Sequence, residues 1–203
     1  MIALAEAHPD WAVGYADETW WSRLARPALR SWADGAPLRL VEPQVTADDP
    51  DPKALACYGL LVRPPDATAP DAEAVWLRFV DGRPVSPLTT QFLAWCCDRL
   101  VVTGVTTLVL VWDNAAWHVS REVRRWLRAH NQQVHRAGGV RLIPCFLPTK
   151  SPWLNPIEPK WVHGKRRLAE PARLLTAAEL EQRICAAFAA ARLDHLVIPK
   201  DVA

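Results

Sequence analysis

The segment TTLVLVWDN (residues 106–114) predicts the centre of the fold. Residues 108–112 are all apolar, without the polar alternation of a strand that has one face in solvent. An uninterrupted apolar run of this length is typical of a strand that is covered by helices on both faces. The run ends at Asp113, so a carboxylate is expected where this buried strand meets solvent.

Strand and helix patterns alternate on both sides of this segment. Further strands are predicted over 54–62, 74–80, 140–148 and 11–17, the last ending in Asp17. Helical spacing predicts helices over 86–101, 120–131, 176–193 and the residues that follow Pro156. This order predicts an α/β fold, with one mixed sheet flanked by helices.

Local signals define the ends and connections of these elements. Ser86 followed by Pro87 is expected to start the first helix, and Thr176 with Glu179 forms a capping box for the last. The connections are predicted to be a segment with helical fragments at 18–37, a loop at 45–53 and a long hairpin loop at 63–70.

Size and composition indicate one soluble domain. The chain has 203 residues, half of them hydrophobic, which is enough to bury a sizeable core in a single domain spanning 1–203. There is no pattern of a secretory leader and no apolar run long enough to span a membrane, so a cytoplasmic protein without a membrane partner is expected. The five cysteines form no CxxC pair, which favours reduced, buried thiols.

Charge is distributed unevenly along the chain. Residues 1–100 contain 9 Lys and Arg against 14 Asp and Glu, a net −5, whereas residues 101–203 contain 15 against 8, a net +7. A basic half favours a polyanionic partner, most often nucleic acid. Ordinary surface charge explains the asymmetry equally well at this point.

Three acidic residues are candidates for one site. Asp17 and Asp113 each end a predicted strand, and ligands of open α/β sheets gather at the carboxyl ends of the strands. Glu158 follows the proline-rich lead-in SPWLNP (151–156), with Asn155 expected as helix cap and Pro156 at the first helical position. Three carboxylates together suit two Mg²⁺ or Mn²⁺ ions. The alternative is that these acids are helix caps and first-turn acids that do not meet.

Three stretches together resemble the DDE transposases of bacterial insertion sequences related to the mariner superfamily. YADETWWSRLARPALRSWADGAP (15–37) is similar to the family's first acidic segment, and LVLVWDNAAWH (108–118) to its second, Asp-Asn-x-x-x-His. LPTKSPWLNPIEPKW (147–161) is similar to its third, the long and specific Ser-Pro-x-Leu-Asn-Pro-Ile-Glu-x-x-Trp pattern. The resemblance implies a ribonuclease H-like fold, metal-dependent DNA cleavage and strand transfer. It also implies catalytic and metal-binding roles for Asp17, Asp113 and Glu158.

Several neighbours of these acids have open roles. Glu18 is predicted to point away from Asp17, because successive strand residues face opposite sides of a sheet. Asn114 and His118 match the second motif; His118 either contacts DNA or orients a ligand, or else is satisfied by the local backbone. Trp161 is predicted to pack, and Trp20, Trp117 and Trp153 are each expected in the core rather than stacked on a base.

The resemblance also has departures. Family members usually carry helix-turn-helix modules ahead of the catalytic domain, and no such module is recognised in this sequence. The spacing between Asp113 and Glu158 is longer than in the best-known relatives, and residues 128–139 are expected to hold the extra length as a helix extension. End recognition is therefore expected to need self-association or a separate DNA-binding polypeptide.

Basic residues around Glu158 are the predicted DNA contacts, because phosphates must be held beside the acids. They are Lys150, Lys160, Lys165, Arg166 and Arg167. A second row on the predicted helix 120–131 is predicted to be a solvated face rather than a DNA contact: Arg121, Arg124, Arg125 and Arg128. Two other functions stay open: a host ribonuclease H-like nuclease, and a non-catalytic DNA-binding remnant.

Overall fold

A computed structural model describes residues 2–24, 45–63, 73–168 and 173–198. In that part of the chain the strands and helices follow the predicted order, after a short first helix that was not predicted. The strands are β1 (Trp11–Ser22), β2 (Ala54–Arg63), β3 (Ala74–Val80), β4 (Thr107–Trp112) and β5 (Arg141–Phe146). The helices are α1 (Ile2–Glu6), α2 (Ser86–Val101), α3 (Arg121–Ala137), α4 (Ile157–Leu168) and α5 (Ala177–Ala187).

The described strands form one mixed sheet in the order β3-β2-β1-β4-β5. β1, β4 and β5 are parallel to one another, whereas β2 pairs antiparallel with both β1 and β3. Every residue of β4 is buried, as its apolar run predicted. The predicted α/β class, with a mixed sheet flanked by helices, is confirmed.

Helices cover both faces of the sheet, and the sheet separates the core into two clusters. α2 and α3 bury Leu88, Phe92, Val123 and Leu127 against one face. α4 and α5 bury a second cluster on the other face: Ile157, Trp161, Leu168, Leu180 and Ile184. The five cysteines are unpaired thiols, four of them buried, as predicted. Among the described residues no helix has the length and apolarity needed to cross a membrane.

Two elements end later than their sequence patterns predicted. β1 was expected to stop at Asp17 but continues to Ser22, because β2 pairs with it along its whole outer half, down to Ser22 opposite Ala54. Residues 18–22 of the predicted connection are therefore strand, and 25–37 lie outside the described residues. α3 continues to Ala137, which confirms the predicted helix extension.

Other boundaries also differ from prediction. Helix α2 is preceded by Val85, and Ser86 is its first residue instead of its cap; the Ser86 hydroxyl hydrogen bonds to the Ser120 hydroxyl. The predicted capping box of α5 is present, but α5 ends at Ala187 because Ala189 adopts a left-handed backbone, φ 49°. The loop at 45–53 is confirmed, and 64–70 of the predicted hairpin loop lie outside the described residues.

α4 lies against the sheet at a notch made by Gly59. Gly59 is the β2 partner of Asp17, and the indole of Trp161 occupies the space above it. A β-carbon at position 59 would lie 2.3 Å from Cη2 and 2.5 Å from Cζ2 of Trp161. Since atoms cannot approach so closely, this glycine is required for α4 to reach the sheet.

We expect Gly59→Ala to lower the free energy of unfolding by about 1–3 kcal/mol, the usual cost of overfilling a packed core. Urea unfolding followed by tryptophan fluorescence would measure it. The double variant Gly59→Ala/Trp161→Phe should regain part of the loss, because the smaller ring vacates the space that the new methyl needs. Additive losses in the double variant would show that Trp161 is not what Gly59 accommodates.

Candidate active site

The sheet brings Asp17 and Asp113 to the same level. The parallel pairing of β1 with β4 ends at Tyr15 opposite Val111. Two residues further along each chain lie Asp17 and Asp113, so both acids are at the carboxyl edge of this strand pair. Asp17 remains within β1, where it pairs with Gly59 of β2, while Asp113 begins the loop after β4.

The third motif attaches the start of α4 to β1. The Asn155 side chain donates a 3.0 Å hydrogen bond from Nδ2 to the carbonyl of Ala16. Six residues further on, Trp161 donates from Nε1 to Oδ2 of Asp17, at 2.8 Å. Glu158 lies between these two anchors, in the first turn of α4. The two contacts therefore fix where Glu158 lies relative to Asp17.

The helix-cap role predicted for the Asn155 side chain is wrong. Its Oδ1 is buried and accepts no hydrogen bond, and its amide group is used for the bond to Ala16. The Asn155 main-chain carbonyl accepts the Glu158 N–H at 3.1 Å, and α4 begins at Ile157, one residue after Pro156. Asn155 is 2% exposed, and its buried side chain links the start of α4 to β1.

Glu18 faces away from Asp17, as strand alternation predicted. Its Oε1 lies 2.8 Å from Nε2 of His118, and its Oε2 accepts a hydrogen bond from Nε1 of Trp117 at 3.0 Å. The other ring nitrogen of His118, Nδ1, lies 2.7 Å from Oδ1 of Asp113. His118 thus connects two carboxylates, and the alternative of a histidine satisfied by the local backbone is not observed.

The carboxylates differ in their electrostatic surroundings. Burial, with the nearby charges of Glu18 and Glu158, raises the pKa of Asp17 to about 7. Burial also raises the pKa of Glu158, a shift that Lys165 opposes and Asp113 reinforces. The pKa of Asp113 is lowered, chiefly by its hydrogen bond with His118. Asp17, Asp113 and Glu158 therefore share one electrostatic neighbourhood, in which the ionised form of Asp17 is the least stable.

His118 responds to the same acids. Burial alone would lower the pKa of this imidazole, but its hydrogen bonds and charge interactions with Asp113 and Glu18 outweigh burial and raise the pKa to about 9. Because ionised carboxylates only accept hydrogen bonds, both ring nitrogens act as donors here.

The acids are neighbours without forming a closed cage. Within the described ranges, no three His, Cys, Asp or Glu side chains are grouped tightly enough to hold a metal ion by themselves. The hydrogen bonds described above engage Oδ2 of Asp17 and Oδ1 of Asp113, and they leave the second oxygen of each carboxylate outside these contacts.

The predicted basic residues have different surroundings. Lys165, Arg166 and Arg167 are exposed along the last turn of α4, with the Lys165 ammonium 5.8 Å from the centre of the Trp21 ring. Lys160 forms an ion pair with Glu73 at 3.3 Å, which the sequence did not indicate. Lys150 is exposed and adopts a left-handed backbone, φ 58°. Arg121, Arg124, Arg125 and Arg128 are all exposed on α3.

Two tryptophans near the acids are not in the core, contrary to prediction. Trp153 is 74% exposed in a short 3₁₀ turn, Pro152–Leu154, and Trp20 is 44% exposed on β1. Trp20 alternates with the buried residues Thr19 and Trp21, so strand geometry turns it outward. Trp117 is half-buried against Glu18.

Two contacts of the candidate site were not predicted from sequence. Trp161 was expected only to pack, yet it also binds Asp17; the signal was its position three residues after Glu158, nearly one helical turn. Glu18 was expected only to point away from Asp17, yet it contacts His118. No local pattern indicates that pairing, because 100 residues separate the two.

Asn114, which matches the second motif, donates from Nδ2 to the Leu147 carbonyl at 2.7 Å and joins the ends of β4 and β5.

Part of the chain matches a known protein family. The family described as DDE superfamily endonuclease matches residues 85–181, which include Asp113, His118 and Glu158. No curated protein is significantly similar in sequence. The matched segment runs from just before α2 into α5 and contains the second and third motifs.

The solved structures that resemble this fold include several of Mos1 transposase. A paired-end complex with the left transposon end is 18% identical, with a TM-score of 0.56 over 90% of this chain and 48% of that one. A paired-end complex with Mg is 15% identical, with a TM-score of 0.55 over 89% and 48%. The expected ribonuclease H-like fold is thereby confirmed, and this chain spans about half the length of the transposase chains it matches.

Because the pKa of Asp17 is raised, we expect the free energy of unfolding of the metal-free protein, measured in EDTA, to depend on pH. A carboxyl whose pKa is higher folded than unfolded, where it is near 3.8, binds its proton more tightly in the folded state. The stability of the wild type should therefore fall as pH rises from about 4 to about 7. Asp17→Asn removes the titration, and its amide oxygen can still accept the hydrogen bond from Trp161.

We expect Asp17→Asn to be the more stable protein at pH 8, by up to a few kcal/mol, since the folded pKa is about three above the unfolded one and each pKa difference of one corresponds to about 1.4 kcal/mol. At pH 4 this advantage should disappear. Urea unfolding across the pH range measures it, with Asp48→Asn on the exposed loop as the matched control. An equal advantage at both pH values would contradict the assignment.

Proposed function

We propose that this chain is the catalytic domain of a metal-dependent DNA transposase. Its reaction is hydrolysis of phosphodiester bonds at the ends of a transposable element, followed by joining of the 3′-OH ends to target DNA. The observation that carries the proposal is the docking of the third motif: Asn155 and Trp161 hold Glu158 beside Asp17, and Asp113 lies level with Asp17 on the adjacent strand.

The ligands proposed for two Mg²⁺ or Mn²⁺ ions are Asp17, Asp113 and Glu158. Their chemistry fits, because these hard cations prefer carboxylate oxygens and need only one or two carboxylates each, with water and substrate phosphates completing the shell. The raised pKa of Asp17 supports the assignment, since a carboxylate that is buried and has other carboxylates nearby is stabilised by a cation. Related Mos1 transposase complexes have been solved with Mg and with Mn.

Bound ions would activate the attacking oxygen and stabilise the leaving oxygen. The residues of the chain supply the positions. Trp161 holds Oδ2 of Asp17, which directs its other oxygen away from the indole, and His118 holds Oδ1 of Asp113 in the same way. At neutral pH, Asp17 would release its proton on binding a cation, so metal binding by this site is coupled to pH.

DNA is the proposed partner. Lys165, Arg166 and Arg167 are exposed on the helix that carries Glu158, where they would hold phosphates that flank the cleaved bond. Lys150 and Lys160 would contact phosphates further from the cleaved bond. Lys160 would first have to give up its ion pair with Glu73. Mos1 complexes contain a transposon end or are described as a strand transfer complex. The chain would self-associate or act with a second DNA-binding polypeptide. It would work in the cytoplasm, associated with the nucleoid.

Asp113→Asn should reduce nicking of supercoiled plasmid in Mg²⁺ or Mn²⁺ by at least about a hundredfold, because losing a ligand costs at least as much as losing a residue that orients one. Circular dichroism should show the fold intact, since the amide can still accept from His118. Glu18→Gln, a matched change on the opposite face of β1, should cost several-fold at most, because the hydrogen bonds of Glu18 go to His118 and Trp117 and not to a proposed metal ligand. Equal damage by both variants, or none by Asp113→Asn, would refute the assignment.

DNA affinity should fall steeply with salt, because phosphate binding releases counterions. Replacing Lys165, Arg166 and Arg167 together by Ala should make the slope of log affinity against log salt shallower by up to about 2.7, which is about 0.9 for each phosphate that these side chains neutralise. The charge-matched control is Arg124→Ala/Arg125→Ala/Arg128→Ala on α3, which should change the slope little. If only the α3 triple variant flattens the slope, the DNA lies on the other face of the protein.

A further inference from the structure

Ring stacking and hydrogen bonds fix the orientation of the His118 side chain. Its side chain is 1% exposed, and its ring stacks on Trp112 with centroids 4.5 Å apart and an angle of 19° between the planes. The Trp117 ring contacts it edge-on, with centroids 6.0 Å apart. With one face stacked on Trp112 and both nitrogens engaged, the imidazole has one available orientation.

Glu18 anchors this ring from the far side. One carboxylate oxygen lies 2.8 Å from Nε2 of His118, and the other accepts from Nε1 of Trp117 at 3.0 Å. The Glu18 side chain is only 5% exposed, so both its oxygens are committed to these two partners and face away from solvent. Burying a carboxylate this deeply is costly unless it is paired, and here the pairing is with His118.

Asp113 is the end of this chain of contacts that faces solvent. Its side chain is 49% exposed and would rotate freely if nothing bound it. Two donors meet at Oδ1: Nδ1 of His118 at 2.7 Å and the Ala115 N–H at 2.9 Å. Because both donors bind the same oxygen, the carboxylate plane is fixed and Oδ2 keeps one direction.

We propose that Glu18 and His118 are positioning residues: Glu18 holds His118, and His118 holds the Asp113 carboxylate by Oδ1, so that Oδ2 would be available to bind a cation. This inference rests on the proposed metal-dependent function. Strand alternation points Glu18 away from Asp17, so Glu18 is not a proposed metal ligand. The inference gives Glu18 an indirect role in metal binding, through His118. Partners that orient a metal ligand typically change metal affinity by about 10- to 100-fold when removed.

The test compares His118→Ala with wild type in the full chain. Direct Mn²⁺ binding is measured by electron paramagnetic resonance without DNA, and plasmid nicking is measured across a Mn²⁺ titration. We expect the dissociation constant and the half-maximal Mn²⁺ concentration to rise together by about 10- to 100-fold. The rate at saturating Mn²⁺ should return to within a few-fold of wild type, because Asp113 itself is still present.

Two further variants separate positioning from stability. His118→Asn places an amide N–H near the position of Nδ1, so it should restore much of the Mn²⁺ affinity that His118→Ala loses. His195→Ala is the matched control, because His195 also lies between two carboxylates, 2.7 Å from Asp81 and 3.4 Å from Glu181. It should leave the Mn²⁺ dependence unchanged, whatever it does to thermal stability.

The inference is overturned if His118→Ala folds and binds Mn²⁺ within twofold of wild type. If His118→Ala does not fold, Glu18→Leu replaces it, since that change removes the anchor and leaves the His118–Asp113 contact; a several-fold weaker Mn²⁺ affinity supports the inference and an unchanged one overturns it. Wild type that neither binds Mn²⁺ nor nicks DNA is a different result, because it removes the proposed function itself.

Discussion

The hydrogen bonds from Asn155 to Ala16 and from Trp161 to Asp17 are the contacts on which the site depends. They join two parts of the chain about 140 residues apart, and both end on adjacent residues of β1. Without them α4 could slide along the sheet, since apolar packing alone is not directional. Hydrogen bonds to a fixed strand set the position of α4, and with it the position of Glu158.

Gly59 makes this docking possible and explains a feature of the sheet. β2 and β1 pair so that Gly59 is opposite Asp17, and the missing side chain admits the Trp161 ring. The same indole then packs edge-on against Trp21, with centroids 6.0 Å apart, while its N–H binds Asp17. One residue thus buries apolar surface and orients a carboxylate, so the stability of α4 and the geometry of the acids cannot be varied independently.

Much of the fold could be predicted because its signals are local. The apolar run of β4, the capping box of α5 and the helical extension of α3 each depend on neighbouring residues, and each was observed. The outer half of β1 could not be predicted, because residues 18–22 are strand through pairing with β2, a contact distant in sequence. The site shows the same division: Asn155 carries the sequence signal of a cap, but tertiary contact with Ala16 takes its amide. Residue type indicates what a side chain can do, and only the assembled sheet shows which partner it meets.

The strand alternation of β1 gives its two adjacent acids opposite surroundings. Asp17 faces α4, where burial and the charges of Glu18 and Glu158 raise its pKa to about 7. Glu18 faces the other side, where His118 and Trp117 satisfy both its oxygens. This arrangement fits the proposed metal site, because Asp17 would be available for a cation while Glu18 has its charge balanced inside the fold. The unfavourable charge of Asp17 thereby lies where a metal ion at the proposed site would relieve it.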